Sequence, residues 1–150
     1  MADEQELRQL YRETVLEHSR QPRNLRRIAP PARHATGHNP LCGDKVTIYL
    51  DLTADEIVRD AAFEASGCAI SMASASMLTE LVKSQCIADV RRLTRSVFAM
   101  FATDTPGPSP GDMAALAGVR AYPSRVRCAT LAWRTLEAAL QGDRVAVSTE

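Results

Sequence analysis

Asn39-Pro40-Leu41-Cys42-Gly43-Asp44 runs directly into Lys45-Val46-Thr47-Ile48-Tyr49-Leu50-Asp51-Leu52, and the fold is read outward from here. In the second half, Val46, Ile48, Leu50 and Leu52 alternate with Thr47, Tyr49 and Asp51. That period of two is the mark of a strand with one face buried. In the first half a thiol and a carboxylate stand two positions apart with a glycine between them. Gly43 permits backbone angles that a residue with a Cβ resists, so Cys42 and Asp44 can turn toward one point. Pro40 stiffens the approach and biases Asn39 toward an extended conformation. A converging thiolate and carboxylate make two metal ligands, or a nucleophile beside an acid-base group. The same six residues are also compatible with a tight turn holding an incidental buried cysteine.

Downstream, Thr53-Ala54-Asp55-Glu56 reads as a polar turn, and Ile57 to Ala65 as a second strand that completes a hairpin. A third strand is expected within Arg33 to His38, where the local alternation is weak. Ser66-Gly67-Cys68-Ala69-Ile70-Ser71 marks a passage from strand to helix. Ile70, Ala73, Met77, Leu78, Leu81 and Val82 give that helix its apolar face. Its first half is rich in Ala and Ser, which suits close backbone packing. Cys68 falls just before this helix or in its first turn, where unpaired N–H groups and the macrodipole favour a thiolate. A further helix carries Val90, Leu93, Val97 and Phe101 on one side, with Cys86 at its start as buried filler. Thr103 to Gly111 holds Pro106, Pro108 and Pro110 and is an exposed connection. A short helix is expected over Met113 to Ala117. Pro123-Ser124 opens the last helix with Ser124 as N-cap, Cys128 in the first turn, Val126, Thr130, Trp133 and Leu140 on the buried side, and Gly142 as the stop.

Upstream, Asp3 with Glu6 resembles a capping box. Leu7, Leu10, Tyr11, Val15 and His18 share one face of a first helix that runs to about Ser19 and ends by Pro22. His18 there is a hydrogen-bonded packing residue. Arg20, Arg23, Arg26, Arg27 and Arg33 crowd the segment from Gln21 to Asn39, which reads as a solvated loop or as a docking patch for an acidic partner.

The chain has 150 residues, the length of one domain. The reading is therefore a single domain over 1–150, with 144–150 a frayed tail. Eighteen basic and eighteen acidic residues cancel, so no overall field draws nucleic acid or an anionic membrane. No apolar run is long enough to span a bilayer. The acidic N-terminus lacks a signal-peptide pattern. A cytoplasmic location is expected, and disulfides are rare there. The four cysteines must then be buried apolar residues, metal ligands or reactive thiols.

Cys42, Cys68 and Cys128 all stand at element ends, where an α+β fold gathers side chains at one edge. With Asp44 they make a candidate Cys₃Asp set, and three thiolates select zinc or an iron–sulfur cluster over magnesium or calcium. The spacing lacks paired Cys-x-x-Cys knuckles, which excludes a zinc ribbon. An adjacent cation, Arg127, is placed to donate hydrogen bonds to sulfur or to Asp44.

Four blocks in order carry a family resemblance: Leu10-Tyr11 with His18 and Pro22-Arg23-Asn24; Asn39 to Asp44; Gly67 to Met77; and Arg125-Val126-Arg127-Cys128-Ala129 with Leu131 and Trp133. Together they resemble the NifU/IscU family of iron–sulfur assembly proteins over nearly the whole chain. The resemblance implies an α+β fold, SufE/NifU-like, with a small antiparallel sheet of about three strands and about five helices. The scaffold branch places a histidine immediately before the third cysteine, where this chain has Arg127. That departure and the long proline-rich connection resemble the SufU branch. There, Cys42, Asp44, Cys68 and Cys128 would bind zinc. The protein would take persulfide sulfur from a pyridoxal-phosphate cysteine desulfurase, SufS-like, and pass it to downstream iron–sulfur assembly proteins. In that scheme a desulfurase histidine replaces one cysteine on zinc and the freed thiolate attacks the persulfide. The acceptor role falls to Cys42, because a glycine turn moves more readily than a helix end. Two further readings stand beside this zinc-dependent sulfurtransferase: a scaffold that builds an iron–sulfur cluster on the same residues, and a structural zinc module.

Overall fold

The computed structural model describes residues 4–30, 32–40, 43–102, 110–141 and 147–148. Helix α1 (Glu4–Arg20) leads through an irregular segment to strands β1 (Arg33–Asn39), β2 (Asp44–Leu52) and β3 (Val58–Ser66). Helices α2 (Ala69–Val82) and α3 (Ile87–Met100), a 3₁₀ helix (Gly111–Ala121) and α4 (Pro123–Gln141) follow, and β4 (Val147–Ser148) comes last. Strands β1, β2 and β3 pair antiparallel in the order β3-β2-β1. The fold is thus α+β, with three antiparallel strands and five helices among the described residues, as the sequence implies.

The alternation read in β2 decides which face is covered. Val46, Ile48 and Leu50 are fully buried, with Phe63 and Ala61 opposite them on β3. This face packs against α2 and α4, whose Met77, Leu78, Leu131, Trp133 and Leu136 complete the core. Gly37 in β1 lets α4 come close, since a Cβ there would collide with the Thr135 hydroxyl. The opposite face is polar. Tyr49 stacks on His34 with ring centres 5.9 Å apart, and its hydroxyl donates to Glu64 at 2.7 Å.

The small residues of α2 work as expected, bringing its neighbours in close. Ser74 donates to the Ala129 carbonyl of α4 at 2.6 Å. Buried His18 of α1 meets the Ser76 hydroxyl at 2.8 Å and Asp112 of the 3₁₀ helix at 3.1 Å. It joins three elements, in keeping with a packing role. The arginine-rich segment is strapped onto the molecule: Arg26 pairs with Asp60 at 2.7 Å, Arg27 with Glu64 at 3.0 Å, and Arg23 with Glu17.

Four expectations change. The short helix at Met113–Ala117 is a longer 3₁₀ helix over Gly111–Ala121. Ser124 is not the N-cap of α4, because Pro123 is already helical. A proline suits that first position, having a fixed φ and no N–H to leave unpaired. The Tyr122 carbonyl instead accepts from Arg125 at 2.9 Å and Val126 at 3.1 Å. Within the tail expected to fray, Val147 and Ser148 pair in parallel with Gly37 and His38. Cys86 is the N-cap of α3 and is half-buried rather than buried, bridged to Ile57. Asp3, Leu41, Cys42, residues 103–109 and Gly142 lie outside the described residues, as do the side chains of Leu7, Leu10 and Tyr11.

Candidate metal centre

Three of the four proposed ligands meet at one end of the sheet. Asp44 is the first residue of β2, paired across to Asn39, and two-residue alternation puts its side chain on the covered face with Val46 and Ile48. It is fully buried. Oδ1 accepts from the Cys68 N–H at 2.9 Å, and Oδ2 lies 3.7 Å from the Cys68 Sγ. Cys68 is the N-cap of α2, with extended backbone angles, and its Sγ accepts from the Ser71 N–H at 3.5 Å. The helix-start setting read from the sequence therefore holds for Cys68. Gly67 makes the approach possible. Its φ is +151°, and a Cβ there would run into the Asp44 carboxylate.

Cys128 reaches the site differently from the expectation. Since α4 starts at Pro123, Cys128 lies in its second turn, beyond the first turn in which the macrodipole acts. Its Sγ is fully buried beside the Asn39 amide (3.8 Å) and the Ser124 carbonyl (3.5 Å).

One ligand atom from each of Asp44, Cys68 and Cys128 lies within 4.8 Å of the others. Tetrahedral zinc with Zn–S bonds of about 2.3 Å holds its ligands roughly 3.7 Å apart, so a slight contraction would close these atoms on one ion. The donor set is two soft sulfurs and a hard oxygen, suited to zinc or iron. A buried carboxylate needs a compensating cation, and among the described residues no lysine, arginine or histidine pairs with Asp44. These residues fit a metal.

The NifU-like N terminal domain matches residues 10–142. The chain belongs to this family. It is 38% identical over 130 residues to the zinc-dependent sulfurtransferase SufU of Bacillus subtilis, covering 85% of this chain and 87% of that one. It is 30% identical over 133 residues to the iron–sulfur cluster assembly scaffold protein IscU of Thermotoga maritima, covering 88% and 93%. Among solved structures it resembles a candidate assembly scaffold for the SUF system from Fervidobacterium islandicum, with a TM-score of 0.79 and 29% identity over 85% of this chain and 94% of that one. The protein is thus of the SufU/IscU class of iron–sulfur cluster assembly proteins.

Arg127 is exposed, and its side chain makes no ion pair or hydrogen bond with Asp44 or a sulfur among the described residues. Helical geometry explains this, since one step along α4 from buried Cys128 turns the side chain about 100° away. Cys86 sits past the far end of α2, a 14-residue helix about 21 Å long, and is no part of the cluster. Two neighbours escaped the sequence reading: Asn39, whose amide faces Cys128, and Ser71. The quoted stretch does contain Asn39, but nothing local marks its side chain as pointing inward. Beside the cluster an open cavity of about 850 Å³ is lined by Ala69, Ile70, Val119, Tyr122, Arg12 and Arg125. No described helix is long and apolar enough to cross a membrane.

Proposed function

We propose that this protein is a zinc-dependent sulfur acceptor that takes persulfide sulfur from a pyridoxal-phosphate cysteine desulfurase, SufS-like, for iron–sulfur cluster assembly. The observation that carries the reading is the convergence of Asp44, Cys68 and Cys128 on one point, in a chain similar to a zinc-dependent sulfurtransferase. Zinc supplies charge compensation for Asp44 and keeps the thiols deprotonated. Asp44, Cys68 and Cys128 hold it, with Cys42 as the fourth ligand and the sulfur acceptor.

Cys42 suits transfer because it adjoins Gly43, whose φ of +72° and open surroundings impose little on a small backbone rotation. Cys68 is tied to the start of α2 as its N-cap, and Cys128 is fixed within α4. In the transfer step the Cys42 thiolate attacks the outer sulfur of the desulfurase persulfide. The partner's S–S bond breaks, its cysteine leaves as a thiolate, and the sulfur remains on Cys42 as a persulfide. The cavity beside the cluster, open to solvent and flanked by Arg12 and Arg125, leaves room for a partner segment to approach.

After reaction with desulfurase and cysteine, peptide mass spectrometry is expected to find the added sulfur on the Cys42 peptide. Cys42→Ser is expected to abolish stimulation of the desulfurase while the fold persists. Sulfur on the Cys68 or Cys128 peptide, with Cys42→Ser still an acceptor, would refute the assignment. The similarity to an IscU scaffold favours a second reading, assembly of a cluster on these same residues. Protein purified without oxygen separates the two: stoichiometric zinc without iron or acid-labile sulfide supports the acceptor, and the reverse supports the scaffold.

A further inference from the structure

Among the described residues, the buried serine and threonine hydroxyls are bonded with a single exception. Ser74, Ser76, Thr79, Thr94, Thr130 and Thr135 all have partners. Ser71 is 1% exposed, and its hydroxyl has none. Such a group bears its desolvation cost without return. Its two ordinary outlets are closed or unused. A polar side chain at the third position of a helix can reach back to the N-cap N–H, but here Asp44 Oδ1 takes the Cys68 N–H at 2.9 Å. The other outlet is a carbonyl three or four residues earlier, used by Thr79, Thr94, Thr130 and Thr135 and not by Ser71.

The position of this hydroxyl is particular. The Ser71 amide nitrogen lies 3.5 Å from the Cys68 Sγ, and the hydroxyl of the same residue is only three bonds from that nitrogen. The Cys68 Sγ stands 3.7 Å from Asp44 Oδ2. As a metal ligand it is a thiolate and can only accept. It then calls for donors, and Ser71 offers its amide, already in place, and its uncommitted hydroxyl.

We propose that Ser71 is a positioning residue of the metal centre whose hydroxyl donates to the Cys68 thiolate once a cation is bound. The inference rests on Asp44, Cys68 and Cys128 being metal ligands. Two donors on one sulfur draw off its charge and keep it a ligand rather than a nucleophile. They set Cys68 apart from the cysteine that accepts sulfur.

The test uses the full chain and its Ser71→Ala and Ser74→Ala variants, loaded with cobalt(II) under anaerobic conditions. Loss of a hydrogen bond to a thiolate moves the sulfur-to-cobalt charge-transfer band to lower energy. Ser71→Ala is expected to show that shift and to bind metal roughly tenfold more weakly in chelator competition. Its metal-free form should melt no lower than the parent, because an unpaired buried hydroxyl is removed. Ser74→Ala breaks the bond to Ala129, so it should melt lower with the band unmoved. An unchanged band and affinity in cobalt-loaded Ser71→Ala, or a lower metal-free melting point, would overturn the proposal. Failure of the parent chain to take up cobalt overturns both this and the metal reading beneath it. A band shift without sulfur transfer leaves Ser71 in its role and removes only the acceptor function.

Discussion

The residue on which the centre depends most sharply carries no side chain. Gly67 holds a φ of +151°, with the Asp44 carboxylate where a Cβ would stand. That backbone region is nearly confined to glycine, and other residues pay about 1–3 kcal/mol to enter it. In Gly67→Ala the carboxylate must move, and with it the hydrogen bond to the Cys68 N–H. The variant is expected to melt several degrees lower and to lose stoichiometric metal binding. Gly118→Ala is the control, since its Cβ would meet open space at an ordinary φ, and it should behave as the parent. Metal analysis with thermal melts decides, and full metal occupancy in a folded Gly67→Ala would contradict the account.

Among the elements, the arginine-rich segment after α1 is held to β3 by charge and by backbone hydrogen bonds of Phe63 with Asn24 and Arg26. Asp60 is held below its ordinary 3.8 by a hydrogen bond from Arg26, opposed by partial burial and helped by Lys83. Glu64 is held below 4.5 by hydrogen bonds from Tyr49 and then Arg27. Both folded-state values lie below the unfolded ones. The stabilisation is therefore complete above the unfolded values and is lost as pH falls through the lowered ones. These groups are partly exposed and salt-screened, so the effect is local. Hydrogen exchange should show residues 21–30 losing protection as pH drops below about 4, before α2 and α4 respond. Equal protection in this segment under conditions that protonate both carboxylates would show that charge does not hold it.

On the scale of the molecule, the centre joins three separate elements: the start of β2, the N-cap of α2 and the second turn of α4. A metal that binds only this arrangement stabilises the whole fold by mass action. Strong chelation should lower the melting temperature cooperatively across core and sheet. A melting curve unchanged after verified metal removal would mean that the hydrophobic core holds the three elements without help. That core is extensive, from Val46 and Phe63 on the sheet to Trp133 and Leu136 on α4, so a folded metal-free state is expected to survive at lower temperature.

What the sequence determined unaided is whatever short-range periodicity and chain chemistry encode. The alternation in β2 and the apolar stripe of α2 follow from residues adjacent in the chain, and so does Cys68 at the start of α2. The motif blocks carried the candidate ligands Asp44, Cys68 and Cys128 together with the family. Tertiary structure decided the rest, because it depends on residues distant in sequence. Arg127 adjoins a candidate ligand in the chain yet faces solvent, since the turn of α4 is set by how Cys128 and Trp133 pack against the sheet. Asn39 and Ser71 lack any local mark of function, and their place at the centre appears only when β1 and α2 are brought beside α4. The arginine cluster reads as a solvated loop, or as a docking patch, until β3 supplies Asp60 and Glu64 as partners, 34 and 37 residues away in the chain. Long-range pairing of that kind costs loop-closure entropy and is fixed by the global packing that offsets it, which no window of sequence contains.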